Sequence, residues 1–197
     1  MRTQPQEVIA KLEADNSRLA KEKILLEAMN EGLDEFFEGL KMCLDKLYTF
    51  GVKQVPKKDE VISAQGCKWE VFKELAEKLN QRELTGHAAR DAINLVMSSA
   101  TAEQWNGFYR RILIKDLRCG VSEKTVNSVA KKNKFGKYMV PVFTCQLAHD
   151  SANHEKKLVG EKMLEVKLDG VRVVTIVYPD GKVDMFSRNG KEFTNFG

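Results

Sequence analysis

The feature that most limits what this chain can fold into is a change of apolar period near residue 135. Before it, apolar residues recur at steps of three and four; after it, they alternate or run in β-branched stretches. A period near 3.6 lays one stripe along a helix, whereas a period of two puts one face of a strand inward. Leu33, Phe36, Phe37, Leu40, Leu44 and Leu47 form one such stripe, and Phe72, Leu75, Ala76 and Leu79 form the next, on a helix starting near Lys68. Thr85 is placed to cap a helix bearing Ala88, Ala89, Ala92, Ile93 and Val96. Thr101 with Gln104 has the form of a capping box, and Trp105, Phe108 and Ile112 follow as its apolar face. Gly120 is placed to end that helix and Ser122 to cap another. The stretch 51–66, with Pro56 and two glycines, reads as a loop.

Leu12, Leu19 and Leu26 fall at heptad spacing, but the companion positions hold Asp15 and Glu22, or Asn16 and Lys23. A polar seam does not hold a coiled coil, so this segment is expected to pack on its own domain. Beyond residue 135, KMLEVKLDG alternates, VRVVTIVY is rich in β-branched residues, and Pro179-Asp180-Gly181 signals a turn before VDMFS. The expected fold class is α+β: an all-helical domain over 1–133, then an incomplete, mostly antiparallel β domain over 134–197. Two or three strands in so short a segment hardly close a core.

No apolar run approaches the ~18 residues that span a bilayer, and the charged N-terminus lacks the apolar stretch of a signal peptide. A cytoplasmic monomer with no membrane partner is expected. The four cysteines are scattered, without a CxxC pair, and read as reduced thiols. Cys145, His149 and His154 lie near one another, but without a second cysteine pair they are read as no metal site. Net charge is only +4. Its distribution says more: Lys124, Lys131, Lys132, Lys134 and Lys137 cluster with no acid among them.

The chemically informative stretch is Glu165-Val166-Lys167-Leu168-Asp169-Gly170-Val171-Arg172. By itself, Asp169-Gly170 is a hairpin turn between a solvated lysine and a surface arginine. Downstream, however, comes Ser187-Arg188-Asn189-Gly190, its arginine 21 positions past the lysine. Together these resemble the first two motifs of the covalent lysyl-AMP superfamily, which holds ATP-dependent DNA ligases, RNA ligases and mRNA capping enzymes. Arg110 to Ser122 (RRILIKDLRCGVS) resembles the closing helix and loop of a ligase DNA-binding domain. Glu83 to Ala89 (ELTGHAA) resembles that domain's LTGNAA segment, with His87 where asparagine is usual. The resemblance is closest to bacteriophage ligases and spans roughly residues 65–197; residues 1–60 match only in helical character.

That resemblance implies ATP-dependent sealing of nicks in double-stranded DNA with Mg²⁺, in the host cytoplasm if the protein is viral. Lys167 would carry AMP. Glu165 would sit at the adenine, Arg172 at the nucleotide, and Arg188 at the AMP or the nick 5′-phosphate. Lys115, Arg118, Gly120, Ser122, Lys124 and Gly86 would meet the DNA backbone. Further ligase motifs would lie past Arg188, so these residues are expected not to seal nicks without a separate C-terminal portion. Two other readings stay open: a DNA-binding module without catalysis, alone or half of a split gene, and an RNA ligase or capping-type nucleotidyl transferase.

Overall fold

A computed structural model describes residues 3–59, 64–145, 150–163, 165–166 and 169–193. The fold is α+β, mostly helical with one small antiparallel sheet. It divides into two compact units, 1–142 and 143–197.

The first unit opens with α1 (Pro5–Ala14) and α2 (Arg18–Asn30), separated where Ser17 caps the second helix by accepting from the Ala20 amide. That break disposes of the heptad: Leu12 is fully buried, while Leu19 is 76% exposed. Both helices instead pack within the unit, α1 against α2 and α2 against α8 (Glu123–Lys132). The next helix, α3 (Asp34–Leu44), buries Phe36, Phe37 and Leu40. It stops before Leu47, which lies outside the stripe and is half exposed. Helix α4 (Trp69–Asn80) starts beside Lys68 as expected, and α5 (Gly86–Ser99) follows Thr85. Thr85 holds the cap position without a side-chain bond.

The capping box at Thr101 forms in both directions, at 3.1 Å and 3.2 Å. It starts a continuous helical run of α6 (Ala102–Gln104), a π turn (Trp105–Tyr109) and α7 (Arg110–Leu113). The run ends earlier than the sequence suggests. Lys115, at φ +58, makes the left-handed step, and Gly120 turns the chain later, inside the loop. Gly39 lets α3 approach this run closely, since a Cβ there would stand 2.5 Å from Phe108 Cζ and 2.6 Å from Ile112 Cδ1. Around that contact Phe36 and Trp69 stack on Phe108, and Phe72 stacks on Tyr109 at 4.3 Å. Each of these buried rings contributes about 2–3 kcal/mol relative to exposure.

The same helical run straps the long loop expected at 51–66. Trp105 Nε1 donates to the Pro56 carbonyl at 2.9 Å, Arg110 Nε to Val55 at 2.8 Å, and the Tyr109 hydroxyl to Cys67 at 3.0 Å. Asn106 pairs with the Lys58 backbone in both directions. These side chains give Val55, Pro56, Lys58 and Cys67 backbone partners that no sheet or helix supplies.

The unit boundary falls after residue 142, not at 133/134. Tyr138 stacks on Phe37 at 4.2 Å and donates to Asp34 at 2.8 Å, and Asn127 pairs with both backbone groups of Val140. A glycine, a proline and scattered lysines break any periodicity over this return, yet it belongs to the helical core.

In the second unit, β1 (Val173–Val177) pairs antiparallel with β2 (Val183–Ser187) about the turn at Pro179-Asp180-Gly181. Gly181 takes φ +86 there, and Asp180 accepts from the Lys182 amide. After a tight turn at 187–190 the chain returns beside β2, with a bridge between Phe186 and Glu192. The strand expected over 162–170 does not form among its described residues. Alternation marks which face of a strand would be buried, but a strand also needs a neighbour to pair with. No helix among the described residues is long and apolar enough to cross a membrane.

Candidate functional site

Two of the motif arginines flank one end of the hairpin. Arg172 immediately precedes β1, Arg188 immediately follows β2, and the register pairs Val173 with Ser187. Two arginines distant in sequence are therefore neighbours across the ladder, both exposed. Asp169 and Gly170 lie just upstream and are exposed, as is Glu165. Lys167 lies outside the described residues, so its position relative to the arginines is not part of the geometry.

Cys145 joins the two arginines. Its Sγ stands 3.8 Å from Arg172 Nη1 and 3.6 Å from the Arg188 carbonyl. The sequence places Cys145 among the scattered thiols and beside His149 and His154 in a group read as no metal site; its spacing of 22 residues before the motif lysine has no meaning without the fold. Gly190 completes the turn at φ +84, where Phe143 packs so closely that a Cβ would stand 2.5 Å from its Cγ. The amides of Gly190 and Lys191 are bound to the Ser187 carbonyl and hydroxyl. The turn after Arg188 is thus fixed from within and from Phe143. Two exposed guanidinium groups at one edge can serve phosphate or ribose oxygens.

Among the described residues, no group of three His, Cys, Asp or Glu could hold a metal ion. His149, part of the weighed cysteine–histidine group, lies outside them.

The helical residues expected to meet DNA are less uniform. Lys115 faces inward: its ammonium donates to the carbonyls of Met42 at 2.7 Å, Asp45 at 2.6 Å and Tyr48 at 2.7 Å. All three donors are engaged at the C-terminal end of α3, and burial lowers its pKa. In this structure it caps the end of a helix. Gly120, at φ +63, lies against the buried Lys21, whose ammonium donates to the Cys119 carbonyl at 2.8 Å. Its role is likewise to admit a neighbour closely.

Arg118 is exposed and loosely paired with Asp116 at 3.6 Å. Ser122 caps α8 by accepting from the Thr125 amide, and Lys124 is exposed on that helix's first turn. Glu123, on the same turn, works against anion binding there. Gly86 is exposed at the start of α5, with open space around it. It belongs to the helix that packs on α4, whereas the loop 114–122 is held by α2 and α3. Of the residues expected to meet DNA, the exposed basic ones on that loop and helix are Arg118 and Lys124.

No protein-family model matches the chain. No curated protein matches it either. Solved structures do. One named "Pmar-Lig_PreS3" superposes with a TM-score of 0.86 at 64% identity, covering 99% of this chain and 44% of that chain. Another, "Pmar-Lig_Pre.", gives 0.86 at 63% identity with the same coverage of 99% and 44%. The chain therefore spans less than half the length of these solved relatives.

Proposed function

We propose that the chain is the front portion of an ATP-dependent DNA ligase that seals nicks in duplex DNA through a lysyl-AMP intermediate. The observation that carries this reading is that Arg172 and Arg188 flank the hairpin end where Val173 pairs with Ser187, next in the chain after the Lys167 motif. The ligase-like solved relatives support it.

In this reading the neutral Lys167 amine attacks the α-phosphorus of ATP. A P–N bond forms, the bond to the β-phosphate oxygen breaks, and pyrophosphate leaves with the electron pair. A free lysine with pKa ~10.4 is almost wholly protonated at pH 7, so neighbouring cations must favour loss of its proton. Arg172 and Arg188 supply two permanent positive charges at the adjacent hairpin edge. They would also orient the phosphate and spread the charge that develops on its oxygens. Glu165 would sit at the adenine. AMP then passes from Lys167 to the 5′-phosphate of the nick, and the 3′-hydroxyl displaces it, closing the phosphodiester. Magnesium would arrive with the nucleotide's own phosphates.

For the DNA, Arg118, Lys124 and the Ser122 turn would meet backbone phosphates without reading sequence, as a nick-sealing enzyme requires. The test is incubation with α-labelled ATP and Mg²⁺ beside Lys167→Ala, followed by a denaturing gel. Label should stay on the parent chain and vanish in the variant. A parent chain that takes no label, even when the remaining length of its solved relatives is supplied as a second polypeptide, sinks the reading. Adenylyl transfer to nicked RNA in preference to nicked DNA would redirect it to the RNA branch.

A further inference from the structure

Cys145 occupies a position that neither the motif nor the proposed chemistry uses. It lies in an irregular segment, yet that segment is anchored: two residues earlier, Phe143 packs against the Gly190 backbone and lies 5.9 Å, ring to ring, from Phe186 of β2. The thiol is half-buried and engages both arginine positions at once. Its S–H can donate to the Arg188 carbonyl at 3.6 Å while its sulfur accepts from Arg172 Nη1 at 3.8 Å. Donor and acceptor roles are both filled, with no conflict between them.

We propose that Cys145 is a positioning residue that ties the Arg172 guanidinium to the backbone of the Arg188 turn, holding the two arginines as one phosphate-binding fork. The inference rests on the nucleotide site proposed above and adds a residue to it. Long arginine side chains lose considerable rotamer entropy when they bind a phosphate. A sulfur contact that restricts Arg172 beforehand removes part of that cost from the binding step. Cys145 does not touch the reacting atoms; it acts through Arg172.

Two measurements test this. In the full chain, Cys145→Ala should raise the KM for ATP in lysyl-AMP formation about three- to tenfold, the scale of one weak hydrogen bond, with a smaller change in kcat. Cys145→Ser should restore part of the loss. Because Cys145 acts through Arg172, the double variant C145A/R172A should bind ATP no worse than R172A alone. Separately, the Arg172 Nε–Hε resonance of the nucleotide-free protein should move in C145A, with circular dichroism and thermal midpoint unchanged. That second measurement needs no activity. If the parent takes no label but the resonance moves, the nucleotide reading fails and the tie between Cys145 and Arg172 stands. A resonance that stays in place, or KM effects of C145A and R172A that multiply in the double variant, overturns the proposal.

Discussion

The two units solve the same problem of satisfying a backbone in opposite ways. The first unit, residues 1–142, buries Trp105, Phe36, Phe37, Phe72 and Phe108 almost completely around one aromatic cluster. The second carries its apolar residues outward: Val159 is 79% exposed, Met163 85%, Val166 85% and Val171 76%. A two-stranded hairpin has one ladder and no opposing layer, so its side chains have little to bury against. The difference teaches where stability and chemistry reside. The helical unit holds a fold; the hairpin unit holds the arginine pair.

The sharpest way to break this contrast is to empty the first core. Phe36→Ala should cost about 3–5 kcal/mol in urea unfolding monitored by circular dichroism. A loss under 1 kcal/mol would mean that the aromatic cluster is not the unit's main support. Alkaline pH should act almost as strongly on the same unit. Burial pushes the Cys43 thiol from 9.0 up to about 12. Below pH 9 both folded and unfolded chains keep that proton; between 9 and 12 only the folded chain does. Stability is thus lost as pH rises through this window, by on the order of 3–4 kcal/mol at its upper end. Cys43→Val should flatten the pH dependence of the helical transition.

A smaller effect is expected at a buried charge. Lys58, 5% exposed, donates to the carbonyls of Met97, Ser98 and Ala100 at the end of α5. Lys58→Met should cost about 2–3 kcal/mol, since those carbonyls lose their partner. An unchanged urea midpoint would show that water replaces the ammonium freely. The hairpin unit provides the low end of the scale. Val166→Ser, at an exposed position, should fall within about 0.5 kcal/mol. A larger loss would reveal a second core, and the contrast would fail.

Much of the helical unit is legible in sequence because its signals are local. The Thr101–Gln104 box, the Ser122 cap and the Pro179-Asp180-Gly181 turn each depend on residues within a few positions of one another. The heptad at Leu12, Leu19 and Leu26 is discounted by its polar seam alone, and the Ser17 cap interrupts it in the fold. Lys21, Lys58 and Lys115 were not legible as interior residues, because a lysine's partners are backbone carbonyls that carry no sequence signature. Their acceptors lie far along the chain, from Tyr48 for Lys115 to Cys119 for Lys21. At the candidate site, both arginines could be read from their motif, but their adjacency depends on hairpin register and Cys145 on a segment without periodicity.

The strap between the 51–67 loop and the helical run around Trp105 has a consequence in time as well as in stability. Its hydrogen bonds join residues 37 to 55 positions apart, and the Tyr138–Asp34 bond closes a separation of 104. Contacts of such length form after the local helices. Weakening them should therefore leave the refolding rate nearly intact and quicken unfolding instead. Asn106→Ala, followed by stopped-flow fluorescence of the tryptophans, would show whether the strap is the last part of the unit to close and the first to open.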